Sequence, residues 1–264
     1  MDRVVAIDDP DDPRVAAFRD IKERDLIGRE GRFIAEGQVV LGHLLRARRH
    51  RPVALLIAAH RIERLADLIA EAPPEVPVYA AGQAVIDAIA GFHLHRGILG
   101  LGETPAGEDA ASLLAGLPEE ALVVAASGIG NHDNIGGLFR NAAAFGADAV
   151  VLDETCCDPL YRKALRVAVG ASLVVPYARA ADPASALEAA GFTVFALSPS
   201  GAMTLSEARP AARTAVLLGA EGPGLAPEVL ARTTTVRIPM QPGFDSLNVA
   251  TTSGVALHHF SQYR

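Results

Sequence analysis

Apolar and polar residues change rhythm several times along this sequence, and the changes mark its elements. Short apolar runs at Val53–Ala58, Val76–Ala80 and Gly97–Leu101 read as strands, while helical spacing is predicted around 13 to 27, 37 to 48 and 61 to 71. This first stretch reads as a small α/β domain. Glu103-Thr104-Pro105-Ala106-Gly107-Glu108-Asp109 and the later Gly116-Leu117-Pro118-Glu119-Glu120 then break the pattern. They predict a domain at 1–105, a linker at 106–118 and a second domain at 119–264.

In the second domain, strand-like runs at Leu122–Ala126, Ala149–Leu152, Leu173–Val175, Thr193–Leu197, Ala215–Gly219 and Thr235–Ile238 alternate with helical segments. That alternation predicts a mainly parallel sheet with helices on both faces. The clearest helix begins at Asn134, where Ile135, Leu138, Phe139, Ala142, Ala143 and Gly146 form one packed face. Asn134, Gly137, Arg140 and Asn141 are expected to point elsewhere. A last helix, about Ser246 to Gln262, is apolar on most sides and is expected to be buried in the domain or against a partner. The sequence contains no internal repeat and no low-complexity tract.

Composition narrows the class. The chain has 264 residues, 50% hydrophobic and 21% charged, which excludes disordered, collagen-like and disulfide-scaffold compositions. Its longest apolar run, Val53 to Ala59, falls far short of the ~18 to 20 residues of a membrane span. The start, with Asp8, Asp9, Asp11 and Asp12, lacks the order of a secretory signal, so a cytoplasmic location is expected. The adjacent Cys156 and Cys157 are poorly placed for a disulfide and read as reduced, structural thiols. The net charge of −7 argues weakly against a nucleic-acid partner. Between Arg14 and Arg51, however, ten basic residues face five acidic ones, and Arg46, Arg48, Arg49 and Arg51 form a candidate RNA-binding face or an ordinary solvated one.

Familiar cofactor signatures fail on their chemistry. Gly128-Ile129-Gly130-Asn131-His132-Asp133 carries an anion where a dinucleotide loop needs Gly or Ala beside the pyrophosphate. Gly219-Ala220-Glu221-Gly222-Pro223-Gly224 lacks the Lys-Ser/Thr pair of a P-loop. His93, His95, His258 and His259 join no cluster at zinc-ligand spacing, so no metal is expected.

Three glycine-bearing polar segments remain, each just beyond a predicted strand, where ligands of parallel sheets bind. They are Asn134-Ile135-Gly136-Gly137-Leu138-Phe139-Arg140-Asn141-Ala142, Leu218 through Leu225, and Ile238-Pro239-Met240 through Ser246-Leu247-Asn248-Val249. Together and in this order they resemble the three motifs of the SpoU (TrmH-like) branch of the SPOUT RNA 2′-O-ribose methyltransferases, over about residues 120 to 264. Residues 31 to 105, from Gly31-Arg32-Phe33-Ile34-Ala35-Glu36-Gly37 to His95-Arg96-Gly97-Ile98-Leu99, resemble the L30e-type RNA-binding domain that often precedes it.

The resemblance implies a trefoil-knotted C-terminal sheet, a smaller L30e-like N-terminal α/β domain and a homodimer. It implies S-adenosylmethionine as cofactor, held at Gly219, Ile238 and Leu247, with Leu197, Glu221 and Met240 as further candidates. Arg140 matches the family's essential arginine. Because a guanidinium stays protonated, its expected role is to hold phosphate and stabilise charge, and the general base is unassigned. Asn134, Glu221, Ser246 and Asn248 match the other polar motif positions and are expected to orient the arginine, the ribose or the loops. Each residue also has a plainer reading: Asn134 as a helix cap, Arg140 as a solvated helix residue, the glycines as turn punctuation, Ser246 and Asn248 as caps. Two departures from the family pattern stand in the third motif, Asp245 and the run Thr251-Thr252-Ser253. The function implied is S-adenosylmethionine-dependent 2′-O-ribose methylation of ribosomal RNA. The alternatives are transfer RNA as substrate, or a non-catalytic RNA-binding or ribosome-assembly protein of the same fold.

Overall fold

The computed structural model describes residues 3–19, 31–105, 107–244 and 246–263. Its contacts divide the chain into two units, Met1–Ala106 with Leu160–Leu173, and Gly107–Pro159 with Val174–Arg264. In chain order the first unit holds β1 (Val4–Ile7), β2 (Arg32–Glu36), α1 (Gln38–Arg46), β3 (Arg51–Ala58), α2 (Ala66–Ala70), β4 (Val78–Ala81), α3 (Gln83–Ala90) and β5 (Ile98–Glu103). Then follow α4 (Ala110–Ala115), β6 (Ala121–Ala126), α5 (His132–Ala144), β7 (Ala149–Leu152), α6 (Arg162–Val167), β8 (Tyr177–Arg179), α7 (Pro183–Ala189), β9 (Thr193–Leu197), β10 (Met203–Thr204), β11 (Arg213–Leu218), α8 (Pro227–Arg232), β12 (Thr234–Arg237) and α9 (Val249–Ser261).

The first unit is a five-stranded mixed sheet in the order β1-β4-β3-β5-β2. Of the helix expected at 13 to 27, Pro13–Phe18 is a 3-10 helix and residues 20–27 lie outside the described ones. Strand β2 escaped the periodicity because Phe33 through Glu36 are all buried, so no alternation marks them. Its outer side is covered by α6, a segment more than a hundred residues later. Glu36 there is almost fully buried and ion-paired to Arg162 at 2.5 Å. Leu160–Leu173, expected within the C-terminal domain, thus groups with the first unit.

The second unit is a seven-stranded sheet in the order β10-β12-β9-β11-β6-β7-β8, every pairing parallel. All six residues of β6 are buried, as a parallel strand covered on both faces requires. Ala121, Val123 and Ala125 share one core with Leu113 and Leu114 of α4 and Leu187 of α7. The opposite face lies under α9, where Phe260 stacks on Phe195 of β9 at 4.7 Å. The expected linker, 106–118, therefore includes a helix that seals this core. The run Leu173–Val175 is not a strand: Ala171–Leu173 is a 3-10 turn, and the edge strand β8 starts after Pro176. Proline has no N–H to give to a ladder, so the strand begins just beyond it. Helix α5 starts two residues earlier than expected, at His132, because the cap is Asn131, whose side chain accepts from the Asp133 N–H. Cys156 is buried, with Sγ donating to the Ala126 carbonyl at 3.4 Å, and burial pushes its thiol up to about 12. Among the described residues, no helix is long and apolar enough to cross a membrane.

Candidate active site

Parallel strands deliver all their carboxyl ends to one edge, and the loops leaving β9, β11 and β12 meet there. Together with the turn into α9 they enclose a cleft of about 380 Å³. Its walls include Leu197, Gly219, Glu221, Ile238, Met240, Ser246, Leu247 and Asn248. The positions expected for the cofactor thus converge, although they come from segments up to about fifty residues apart.

The glycine loop after β11 is shaped by sterics. A Cβ on Gly219 would lie 2.4 Å from the Gly224 carbonyl carbon and 2.5 Å from the Leu225 nitrogen, because the loop folds back on its own start. Gly224 closes that fold by donating its N–H to the Ala220 carbonyl at 3.0 Å, and Gly222 and Gly224 hold φ of 86° and 70°. The plainer reading of these glycines as turn formers holds, and the turn they make is a wall of the cleft.

A polar triangle stands at the cleft wall. Asn248 caps α9, its Oδ1 accepting from the N–H groups of Ala250 and Thr251 at 2.9 and 3.2 Å. That fixes its amide orientation and turns Nδ2 toward Asn134, whose Oδ1 accepts at 2.8 Å. Asn134 must then present Nδ2 to Glu221, and it donates to Oε1 at 2.7 Å. One helix cap thus sets the orientation of three side chains from three motifs. Asn134 is 3% exposed and sits inside α5, so the plainer reading of it as a cap is corrected; Asn131 has that position.

Gly137 and Asn141, expected to point away from the apolar face of α5, meet a second packed surface. They face α9. A Cβ on Gly137 would sit 2.5 Å from that of Ala250, and Asn141 Nδ2 donates to the Ala250 carbonyl at 2.6 Å and to Ser253 Oγ at 2.9 Å. Ser253, in the unusual Thr251-Thr252-Ser253 run, is thereby accounted for, and Asp245 lies outside the described residues. Asn141 was missed as a site-building residue because its partners lie over a hundred positions away. Ser198, Pro199 and Thr252 also line the cleft, and only their place just after a strand or inside the last helix could have signalled them.

Arg140 stands apart. It is exposed on α5, outside the cleft lining, and makes no hydrogen bond or ion pair among the described residues. Its position six residues beyond Asn134 puts it about 9 Å further along the helix axis. The candidate RNA-binding arginines are in the first unit, where Arg46 pairs with Glu71 at 2.5 Å and Arg51 with Glu103 at 3.3 Å. Among the described residues, no group of three or more His, Cys, Asp or Glu is placed to hold a metal ion.

Comparison with known proteins gives this cleft a context. Residues 121–258 match the sequence model of the SpoU rRNA Methylase family. An uncharacterized tRNA/rRNA methyltransferase of Mycobacterium tuberculosis (strain ATCC 25618 / H37Rv) is 42% identical over 262 residues, spanning 95% of this chain and 89% of the relative. The AdoMet-bound rRNA methyltransferase of Sinorhizobium meliloti superposes with a TM-score of 0.83 over 99% of this chain and 98% of its own, at 22% identity. The SpoU methyltransferase AviRb of Streptomyces viridochromogenes, in complex with AdoMet, gives 0.80 over 96% and 98%, at 21% identity. At those identities the structures speak for the fold, while the sequence match covers over half the chain and the mycobacterial relative nearly all of it. On that evidence the chain belongs to the SpoU rRNA Methylase family.

Proposed function

We propose that this protein is an S-adenosylmethionine-dependent RNA 2′-O-ribose methyltransferase acting on ribosomal RNA. The observation that carries the reading is the closed Asn134–Glu221–Asn248 triangle, which unites the three motifs at the wall of one cleft.

The cleft suits the cofactor on its own geometry. Glycine at 219 leaves backbone where any side chain would intrude, and Leu197, Leu218, Ile238 and Leu247 offer apolar walls to a purine. Gly219, Ile238 and Leu247 would hold it, with Leu197, Met240 and Glu221 around them. When bound, S-adenosylmethionine supplies an activated methyl group. The chain's own task is then to orient a ribose hydroxyl and to hold the adjoining phosphate. Ser246 at the cleft would serve the first, with Asn248 holding the wall beside it. Arg140 supplies a planar cationic fork suited to the second. Since Arg140 lies outside the cleft of its own chain, we assign its action to a homodimer in which α5 of one copy serves the other's cleft. Exposed Leu247, Val255 and Tyr263 support a covered surface there. The first unit serves as an RNA-binding domain of L30e type.

The test is methyl transfer from labelled S-adenosylmethionine to deproteinised ribosomal and transfer RNA, followed by digestion to nucleosides. Label in 2′-O-methyl nucleosides from ribosomal RNA is expected. Label on the bases, or none with either RNA despite cofactor binding in calorimetry, would overturn the reading, and label confined to transfer RNA would change the substrate.

A further inference from the structure

Two loops of the first unit bring five cationic or titratable side chains to one edge of its sheet. His60 and Arg61 follow β3, and His93, His95 and Arg96 precede β5. These strands run antiparallel with Ile57 opposite Ile98, so the end of one and the start of the other share that edge. The side chains interlock: Arg61 Nη2 donates to the His95 carbonyl at 3.4 Å, and the rings of His93 and His95 meet edge to face at 4.3 Å. The Arg96 guanidinium lies against the turn into α1, where a Cβ on Gly37 would be 2.9 Å from Nη1.

The acid in contact with this cluster, Asp87, is occupied in shaping the loop. It bonds His93 Nδ1 at 2.6 Å and accepts from the Leu94 N–H and from Gln83 Nε2 at 2.9 and 2.7 Å. His60, His93, His95 and Arg96 are exposed, and Arg96 makes no hydrogen bond or ion pair among the described residues. In the arginine loop Arg46 and Arg51 are already paired with Glu71 and Glu103, which leaves Arg48 as an exposed cation without imidazole planes beside it.

We propose that this histidine and arginine edge, and not the Arg46–Arg51 loop, is the surface with which the first unit holds RNA. Exposed imidazole and guanidinium planes suit stacking on unpaired bases, and the two arginines suit the phosphates between them, whereas an acidic peptide would use the charge and leave the planes idle. The inference rests on the RNA-methyltransferase reading. Its test does not need turnover.

Binding of deproteinised ribosomal RNA is measured by filter retention over a range of salt, with circular dichroism to check folding. The double variant His95→Ala/Arg96→Gln is expected to lose ~10-fold or more in affinity and to flatten the salt slope by about one. In methylation, KM for RNA should rise while kcat at saturating RNA and the affinity for S-adenosylmethionine hold. Arg46→Ala/Arg51→Ala should change affinity less than ~2-fold. A folded double variant with parental affinity and slope overturns the proposal, as does a greater loss from Arg46→Ala/Arg51→Ala. Should the double variant misfold, Arg96→Gln alone decides in the same assay, because that side chain is exposed and unbonded. Wild-type protein that binds through this edge yet transfers no methyl would sink the enzymatic reading and leave the surface standing.

Discussion

Arg140 and Asn134 share one helix and meet opposite surroundings. Arg140 is exposed and unbonded among the described residues, so its removal should leave stability within about 0.5 kcal/mol. Arg140→Ala is nevertheless expected to slow single-turnover methyl transfer by at least ~100-fold at saturating cofactor and RNA, the scale for losing one positioned charge-stabilising donor. Arg140→Lys should recover only part, because an ammonium cannot reproduce the fork. A near-normal rate for Arg140→Ala would remove the role assigned to it. Asn134 behaves in the reverse sense. Buried between Glu221 and Asn248, it leaves both short of a partner when truncated, and Asn134→Ala should cost about 1–3 kcal/mol in urea unfolding. An unchanged midpoint would mean that water replaces the amide without loss. The residue types at both positions were readable from the motif, whereas the burial of Asn134 depends on Glu221 and Asn248 reaching it from distant segments.

Helices and loops of the second unit are set by close approaches that tolerate little change. Helix α5 lies on α9 through Gly137 against Ala250, with Asn141 bonding across the contact. The loop after β11 closes on itself at Gly219 with no room for a methyl group, so Gly219→Ala forces backbone and not merely a side chain to move. That substitution should cost roughly 1–3 kcal/mol by overpacking and should weaken S-adenosylmethionine binding measured by calorimetry, since the shifted loop is the cleft wall. Parental affinity would show that the wall is not the binding surface. At this level much was readable: β6, β7, β9, β11 and β12 all appear as strand-like runs, and their alternation with helices points to a parallel sheet. Edge strand β8 and the two-residue β10 were not readable, the first because Pro176 displaces its start and the second because it is too short to carry a period.

For the molecule as a whole, association and acid sensitivity follow from surfaces and buried groups. Light scattering at micromolar concentration should report a dimer, and a stable monomer would remove the pairing through which Arg140 is assigned to a second cleft. His50 predicts how stability changes with pH. It is 3% exposed, edge-on to Phe33 at 5.4 Å, and its Nδ1 has no partner among the described residues. Burial, with Arg49 beside it, lowers its pKa from 6.5 to about 4. Between those values the unfolded chain binds a proton that the folded one refuses, so stability should fall as pH drops from about 6.5 to about 4, by up to about 3 kcal/mol. His50→Phe should flatten that part of the profile in chemical unfolding across pH, and an identical slope in the variant would assign the acid sensitivity elsewhere.

Local pattern alone was enough for the α/β class, for most strands of the second unit and for the three motifs, because each is written in contiguous residues: an apolar run, a glycine turn, a polar position beyond a strand. The residues that line the cleft came from the family resemblance those motifs carry, and the parallel sheet explains why their loops reach the same edge. Tertiary structure alone decided which of them touch. The Asn134–Glu221–Asn248 triangle joins positions separated by 87 and 114 residues; the cap at Asn248 is local and was readable, but the partners whose orientation it sets are not in any local window. It also decided that Leu160–Leu173 groups with the first unit and that β2, buried on both sides, is a strand. Periodicity records one face of one element; burial by a distant segment erases the period and leaves only packing to say where the residue belongs.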